Sequence, residues 1–143
     1  HGIDDLAEHT FEALEYLRIH EDIDGALDAA DGVDGERAFA YHAPCHARNQ
    51  GISRQAVETF RDVDGLRIED VGDSCSGISG TYGWKAEKYE TSMEIGAEMF
   101  EHMEEADGEV GMTECPTCAM QMEHGTGYDV EHPLQVLAEA LDA

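Results

Sequence analysis

Four cysteines are the residues of this chain best suited to chemistry, and their spacing predicts one shared metal or iron–sulfur site. Cys115 and Cys118 form a C-x-x-C pair, in which two intervening residues let both sulfurs reach one metal ion or one cluster edge. Cys45 and Cys75 complete a set of four thiolates, which suits either Zn²⁺ or a [4Fe–4S] cluster. The spacing alone leaves that choice open.

A redox pair and disulfides are the two other uses that these cysteines could have. A thioredoxin-like redox pair at Cys115 and Cys118 would leave Cys45 and Cys75 without a role. Disulfides are uncommon in intracellular proteins, and no signal peptide is visible in the sequence. Since the first residue is His1, we expect the chain to be a piece of a longer protein.

The elements that must position the cysteines alternate between strand-like and helix-like patterns. This alternation predicts an α/β fold, with a short parallel sheet flanked by helices. Predicted strands cover 37–42, 66–71, 109–113 and 128–131. Predicted helices cover 4–18, part of 20–35, 54–62 from a cap at Ser53, 85–106, 116–124 and 133–141. On the helix over 85–106 the apolar positions predict a buried stripe of Tyr89, Met93, Gly96, Ala97, Phe100 and Met103.

The cysteines fall where such a fold would bring them together. Cys45, Cys75 and Cys115 each follow the end of a predicted strand, and Cys118 lies one helical turn beyond Cys115. Because ligands of open α/β sheets bind at the carboxyl ends of the strands, we expect these loops to meet there.

The charge of the chain excludes several classes of partner. There are 33 acidic and 8 basic residues, a formal net charge of −25. Such a surface repels nucleic acid and anionic lipid. The sequence also contains no run of about 18 apolar residues, the length that a membrane-spanning helix needs. The acidic residues are spread through helical patterns, which is typical of proteins from a cytoplasm with molar salt. We therefore expect a cytoplasmic protein of a haloarchaeon, with any membrane association made through partners.

Four stretches resemble a known family, the cysteine-rich CCG domain. They are HAPCH (42–46), DSCSGISGTYGWKAEKYETSMEIGAEMF (73–100), ECPTCAMQME (114–123) and VEHPLQVLAEAL (130–141). This domain occurs in the B subunit of heterodisulfide reductase and in iron–sulfur subunits of glycolate, lactate and glycerol-3-phosphate oxidising complexes. The most similar variant is the C-terminal part of the C subunit of anaerobic glycerol-3-phosphate dehydrogenases. The resemblance divides the chain into a CCG-type domain at 36–143 and N-terminal helices with a linker at 1–35 that pack on it.

The family pattern is a lone Cys, then Cys-Cys-Gly, then Cys-x-x-Cys. Cys45 corresponds to the lone cysteine, and Cys75 to the first of the pair. Cys115 and Cys118 correspond to the C-x-x-C. Ser76 stands where many members have the second cysteine of the pair, which weakens the expectation of the unusual cluster of heterodisulfide reductase.

Four thiolates still suffice for an ordinary [4Fe–4S] cluster or for zinc, and neighbouring residues could add a ligand or hydrogen bonds. His46 and His42 flank Cys45, with His46 the better candidate for an extra ligand, and Ser76 is a third candidate. His132 is expected to pack beneath the site or to cap the last helix. Tyr82 and Trp84 would shield the site, contact a partner or pack in the core.

A glycine-rich turn follows Cys75. Gly77, Gly80 and Gly83 recur at every third residue, but no P-loop lysine follows in register and no dinucleotide fingerprint matches. We expect these glycines to bring backbone N–H groups close to the cofactor.

The resemblance implies an electron-transfer iron–sulfur module of a glycerol-3-phosphate dehydrogenase complex. Its partners would be flavin-containing dehydrogenase subunits and, on the other side, a quinone. No nucleophile–base set is evident, which fits a non-catalytic subunit of an oxidoreductase. The alternative is a structural or docking domain that holds zinc through four cysteines, or no metal.

Overall fold

Four parallel strands form the centre of the structure, a computed structural model that describes residues 2–142. The strands are β1 (Arg37–Tyr41), β2 (Leu66–Asp70), β3 (Val110–Met112) and β4 (Asp129–Glu131), in the spatial order β2-β1-β3-β4. In the central strand, Phe39 pairs with Ile68 of β2 and with Val110 of β3. The prediction of a short parallel sheet is confirmed.

Eight α-helices lie in the described part of the chain, and a short 3-10 helix (Ala86–Lys88) precedes the longest of them. They are α1 (Gly2–Glu8), α2 (Ala13–His20), α3 (Ile23–Ala29), α4 (Cys45–Asn49), α5 (Gln55–Thr59), α6 (Tyr89–Glu105), α7 (Pro116–Thr126) and α8 (Pro133–Asp142). None of the helices within residues 2–142 has the length and apolar character needed to cross a membrane.

The helices cover both faces of the sheet, as the alternation of side chains along β1 requires. Phe39 and Tyr41 are buried on one face, in a cluster with residues of α2, α3, α5 and α8. Ala40 is buried on the opposite face, against Met99 and Met103 of α6 and Met122 of α7. Burial on both faces explains why β1 is apolar apart from its first residue.

The order of the strands creates a switch point between β1 and β3. From β1 the chain crosses by α4 and α5 to β2 on one side, and it later returns across α6 to β3 and then to β4. The outgoing helix α5 and the returning helices α6 and α7 therefore pack on opposite faces. In open α/β sheets a ligand crevice lies at the carboxyl ends of the two strands on either side of this point.

The prediction of one helix over 4–18 is wrong, because Glu12 starts a new helix there. The Glu12 carboxylate accepts hydrogen bonds from the backbone N–H groups of Leu14 and Glu15, at 2.8 and 3.2 Å. The Glu15 carboxylate in turn accepts one from the N–H of Glu12, at 3.0 Å. This capping box ends any continuation from α1, which has no buried residue of its own.

Other differences are smaller. The helix α4 was not predicted, and α5 is shorter than the predicted 54–62 and begins after Arg54 without a side-chain cap. Along α6, Tyr89 and Ala97 are exposed, contrary to the predicted stripe. Gly96, Phe100 and Met103 are buried as predicted, and Met93 is half-buried. Ser92 and Met99, which were not predicted, are also buried.

The segment before β1 packs on the sheet. Leu14, Ile23 and Leu27 belong to the same buried cluster as Phe39 and Tyr41. The division into 1–35 and 36–143 stays a prediction, and its outermost residues, 1 and 143, lie outside the described range.

Candidate metal centre

The four cysteines are free thiols close to the carboxyl ends of three strands, as predicted. Cys45 is the first residue of α4 and follows the end of β1, while Cys75 lies in the loop after β2. Cys115 immediately precedes α7, and Cys118 lies in the first turn of that helix. Cys45 is exposed, Cys75 and Cys115 are half-buried and Cys118 is buried, so the set runs from the surface inwards.

One hydrogen bond connects the loop after β2 with α7, and a second lies within that loop. The Ser76 hydroxyl donates to the Cys118 sulfur at 3.3 Å, and the Gly77 N–H donates to the Cys75 sulfur at 3.4 Å. Ser76 is only 3% exposed, so this contact is made inside the protein. The serine at the family's second cysteine position therefore contacts a predicted ligand directly.

Arg48 joins the loop after β1 to the loop after β2. Its Nη2 donates to the Cys45 sulfur at 3.1 Å, and its Nη1 donates to the backbone oxygen of Asp73. Burial acts to lower the Arg48 pKa, but the hydrogen bond and negative charge of Cys45, and the charges of Asp73 and Cys75, raise it overall. The guanidinium thus places a permanent positive charge beside two of the thiols.

Arg48 was not predicted from the sequence. The signal was its position three residues after Cys45, which places both side chains on one helical face, but only if α4 is recognised. A five-residue helix has no periodicity from which to recognise it.

The C-x-x-C pair is strongly asymmetric. Burial raises the pKa of Cys118 to about 12, and the neighbouring Cys115 adds to this effect. Burial also acts to raise the pKa of Cys115, but hydrogen bonds from the Thr117 side chain and from the backbone and side chain of Cys118 outweigh it. The net pKa of Cys115 is lowered, so without a metal Cys115 is the first of the pair to lose its proton, and the Cys118 side chain donates a hydrogen bond to it.

The two predicted histidines differ in their surroundings. His46 is exposed, whereas His42 is completely buried and neither of its ring nitrogens has a hydrogen-bond partner within the described residues. Burial and the charge of Arg48 lower the His42 pKa to about 4. At neutral pH the His42 ring is therefore a neutral imidazole with a nitrogen lone pair to offer, which favours His42 over His46 as an additional ligand.

A buried polar network, which was not predicted from the sequence, lies beneath the loop that carries Cys115. The Tyr41 hydroxyl donates to the Glu114 carboxylate at 2.9 Å, and the backbone oxygen of Ser53 lies 3.2 Å from the same hydroxyl. Burial raises the pKa of Glu114, although the hydrogen bond from Tyr41 opposes this effect. The network fixes the residue before Cys115 to the end of β1.

The glycine-rich turn packs tightly against α6. A Cβ atom on Gly77 would lie 2.0 Å from the backbone oxygen of Ser92, and one on Gly83 would lie 2.2 Å from the Ser92 hydroxyl. Gly77 and Gly80 have positive φ angles of 80° and 63°, but a Cβ on Gly80 would meet nothing within 4 Å. Of these three glycines, Gly77 donates its backbone N–H to a cysteine sulfur, that of Cys75.

The remaining candidates lie at the edge of this region. His132 caps α8, because its Nδ1 accepts a hydrogen bond from the Leu134 N–H at 3.1 Å. Tyr82 is half-buried, and the Trp84 side chain is 55% exposed.

The donor set suits a thiophilic metal or cluster: four free thiols, one of them already disposed to be a thiolate, with a buried unpaired imidazole nearby. Within residues 2–142, no three His, Cys, Asp or Glu side chains are positioned to hold one ion together.

Comparison with known proteins defines the class of this fold and site. The family model for the CCG cysteine-rich domain matches residues 39–123, so the chain belongs to that family.

Two similar relatives carry a more specific name. Over 101 residues the chain is 42% identical to the C subunit of anaerobic glycerol-3-phosphate dehydrogenase of Escherichia coli strain K12, and equally to that of Escherichia coli O157:H7. The matched region is 71% of this chain and 26% of each relative, so the chain spans about a quarter of the length of these relatives.

Proposed function

We propose that this domain is an electron-transfer module in which Cys45, Cys75, Cys115 and Cys118 hold an iron–sulfur cluster of the [4Fe–4S] type. One observation carries the proposal. Three loops bearing four free thiols are linked by the Arg48–Asp73 and Ser76–Cys118 hydrogen bonds at the carboxyl edge of the sheet, in a chain that belongs to the CCG family.

The surrounding residues suit a cluster that changes charge. A bound cluster would supply one-electron transfer. The positive charge of Arg48 and the N–H of Gly77 both lie at thiol sulfurs, where they would stabilise the more negative, reduced state. Ser76 holds the buried sulfur of Cys118, and His42 offers the nitrogen that could replace the missing cysteine of Cys-Cys-Gly.

The parent assembly is proposed from the relatives. Their name supports a subunit of a glycerol-3-phosphate dehydrogenase complex, in which this module relays electrons from a flavin-bearing subunit towards a quinone. In this proposal the module lies in the cytoplasm of a halophile and reaches the membrane through its partners. The dehydrogenation itself belongs to the flavin subunit.

Metal analysis tests the proposal. Protein purified without oxygen in molar KCl should contain iron and acid-labile sulfide, and should absorb broadly at about 400 nm in a band that dithionite bleaches. Colourless protein that contains zinc and no iron would overturn the redox role and leave the alternative, a zinc-bound structural domain.

A variant pair separates a redox role from a structural one. Cys75→Ser removes one proposed ligand, whereas Ser74→Ala alters the adjacent side chain, whose hydroxyl has no hydrogen-bond partner within the described residues. We expect Cys75→Ser to lose most of the 400 nm band while its far-UV circular dichroism stays close to that of the wild type. Ser74→Ala should keep both the band and the circular dichroism spectrum. If the wild-type protein shows no 400 nm band and Cys75→Ser unfolds, the cysteine has a structural role and the proposal is contradicted.

A further inference from the structure

A cleft with aromatic walls lies between the glycine-rich turn and α7. Its cavity volume is about 520 Å³, within the range of small-molecule sites. We call it the Trp84 cleft, and its lining residues are Ile78, Gly83, Trp84, Tyr89, Met120, Gln121 and His124.

The Trp84 cleft presents large apolar side chains to solvent. Trp84, Tyr89 and Met120 are 55%, 44% and 53% exposed. In a chain with 33 acidic residues, none of the residues that line this cleft is Asp, Glu, Lys or Arg. Such a surface favours a neutral, apolar ligand and offers no cation to hold a phosphate or a carboxylate.

Polar groups in the cleft are few and grouped. The Tyr89 hydroxyl and the His124 Nε2 share a hydrogen bond of 2.6 Å, with their rings in edge-to-face contact. Since both groups can donate as well as accept, they can bind a carbonyl oxygen placed at the cleft. An apolar cleft with a few polar groups at one place is typical of sites that orient a flat ligand.

The rear of the cleft is connected to the cysteines. Gln121 donates to the Ser92 hydroxyl at 3.0 Å, and Ser92 donates to the Gly77 oxygen at 2.9 Å. The N–H of Gly77 donates to the Cys75 sulfur. Met120 lies two residues after Cys118 on α7. Along these hydrogen bonds, Ser92 and Gly77 are the two residues between Gln121 of the cleft and the Cys75 sulfur.

We propose that the Trp84 cleft binds the head ring of a quinone. A quinone ring is flat, uncharged and apolar, and its two carbonyl oxygens accept hydrogen bonds, which matches the aromatic walls and the Tyr89–His124 pair. The inference rests on the proposed function, because it locates the electron acceptor of that relay. An apolar peptide of a partner subunit is the competing occupant, but the grouped polar pair fits a small ligand with a carbonyl.

The chain provides its own probe for this inference, since Trp84 is its only tryptophan. Menadione, a naphthoquinone without an isoprenoid tail, added from a small volume of ethanol, should quench the Trp84 fluorescence of the anaerobically purified chain in molar KCl in a saturable manner. Free N-acetyltryptophanamide under the same conditions gives the collisional and inner-filter background.

A matched pair of variants locates the binding. Met120→Glu places a carboxylate in the cleft, and Ile95→Glu makes the same change at a similarly exposed position of α6 outside it. We expect Met120→Glu to weaken menadione binding by about tenfold or more, because a charge beside an apolar ring loses hydration, while Ile95→Glu binds as wild type. Tyr89→Phe should weaken binding by about three- to tenfold through the lost hydrogen bond.

The outcomes separate this inference from the proposed function. Quenching that stays linear, or that is equal in wild type and Met120→Glu, overturns the quinone site even where iron and the 400 nm band are present. Saturable binding that Met120→Glu weakens supports the site whatever the metal analysis finds. Circular dichroism of each variant confirms that it is folded.

Discussion

The unequal thiols of Cys115 and Cys118 determine how the site behaves before a metal binds. Cys115 lies at the start of α7, where the N-terminus of a helix stabilises negative charge, and Cys118 is buried one turn later. An incoming metal ion or cluster would therefore bind the more easily deprotonated Cys115 sulfur first and displace a proton from the Cys118 sulfur. Loading should accordingly release protons.

This asymmetry predicts which thiol is alkylated in metal-free protein. At pH 7, iodoacetamide should modify Cys115 well before Cys118, because the pKa of Cys115 is lowered and that of Cys118 is raised to about 12. As the pH falls, Cys115 keeps its charge below the pH at which an ordinary cysteine is protonated, so its labelling should persist there. Peptide mass spectrometry at several pH values measures both rates. Equal rates for the two thiols would contradict the asymmetry.

The four cysteines could be predicted as ligands from the sequence, but the residues that surround them could not. Cysteine has few uses in a chain of this kind, so all four could be singled out directly. Arg48 and Glu114 are common residue types whose roles depend on α4 and on the burial of the strand ends. Such roles emerge only from tertiary contacts.

Among the elements, the glycine-rich turn depends most strongly on the absence of side chains. Gly77 combines a positive φ with a backbone oxygen of α6 at 2.0 Å from any Cβ, so neither the angle nor the space permits alanine. Gly80 has the angle alone, because nothing lies within 4 Å of its Cβ position. Comparison of the two positions therefore distinguishes the cost of a left-handed backbone from the cost of a steric clash with α6.

Alanine substitutions at these two glycines should therefore differ in cost. Gly77→Ala should lower the free energy of unfolding by about 3 kcal/mol or more, the sum of left-handed strain and displacement of α6. Gly80→Ala should cost about 1 kcal/mol, from strain alone. Urea denaturation in molar KCl measures both. Similar losses in the two variants would show that packing against Ser92 contributes little.

The elements also show where local sequence signals fail. The alternation of strands and helices was clear because each strand is short, apolar and bounded by turn residues. The break between α1 and α2 was missed because Glu12 acts as the cap, a position usually occupied by Ser, Thr, Asp or Asn. A glutamate in an apparently continuous helical pattern carries no signal of a boundary.

At the scale of the whole molecule, charge is the dominant property. The formal net charge is −25, and the described ion pairs are mostly at the surface, where each contributes little. Self-repulsion therefore opposes the folded state at low ionic strength. Molar salt reduces the Debye length to about 3 Å and removes most of this repulsion.

Added salt should therefore stabilise the fold. We expect the thermal midpoint to rise by about 10 °C or more between low ionic strength and molar KCl, which corresponds to a few kcal/mol in a domain of this size. Differential scanning calorimetry or circular dichroism measures the shift. Sucrose of equal osmolality is the control, because it stabilises folded proteins without screening charge. An equal rise in sucrose would contradict an electrostatic origin.

The strand order lies beyond what the sequence could provide. Periodicity predicts that strands exist, but the order β2-β1-β3-β4 results from pairing between segments far apart in the chain. The convergence of the cysteine loops was accessible through the general behaviour of parallel sheets. Their exact neighbours, and the switch point between β1 and β3, were not.

This strand order also has a consequence for biosynthesis. Cys45 follows β1 near the start of the sheet, whereas Cys115 and Cys118 follow β3, which is made much later and must still insert beside β1. A nascent chain on the ribosome therefore carries one or two unprotected thiols until β3 and the start of α7 have emerged. The ligand set can assemble only after β3 has inserted beside β1, so maturation of the site would report that the β2-β1-β3 part of the sheet has formed, and a chain truncated before Cys115 would be left with exposed thiols open to oxidation.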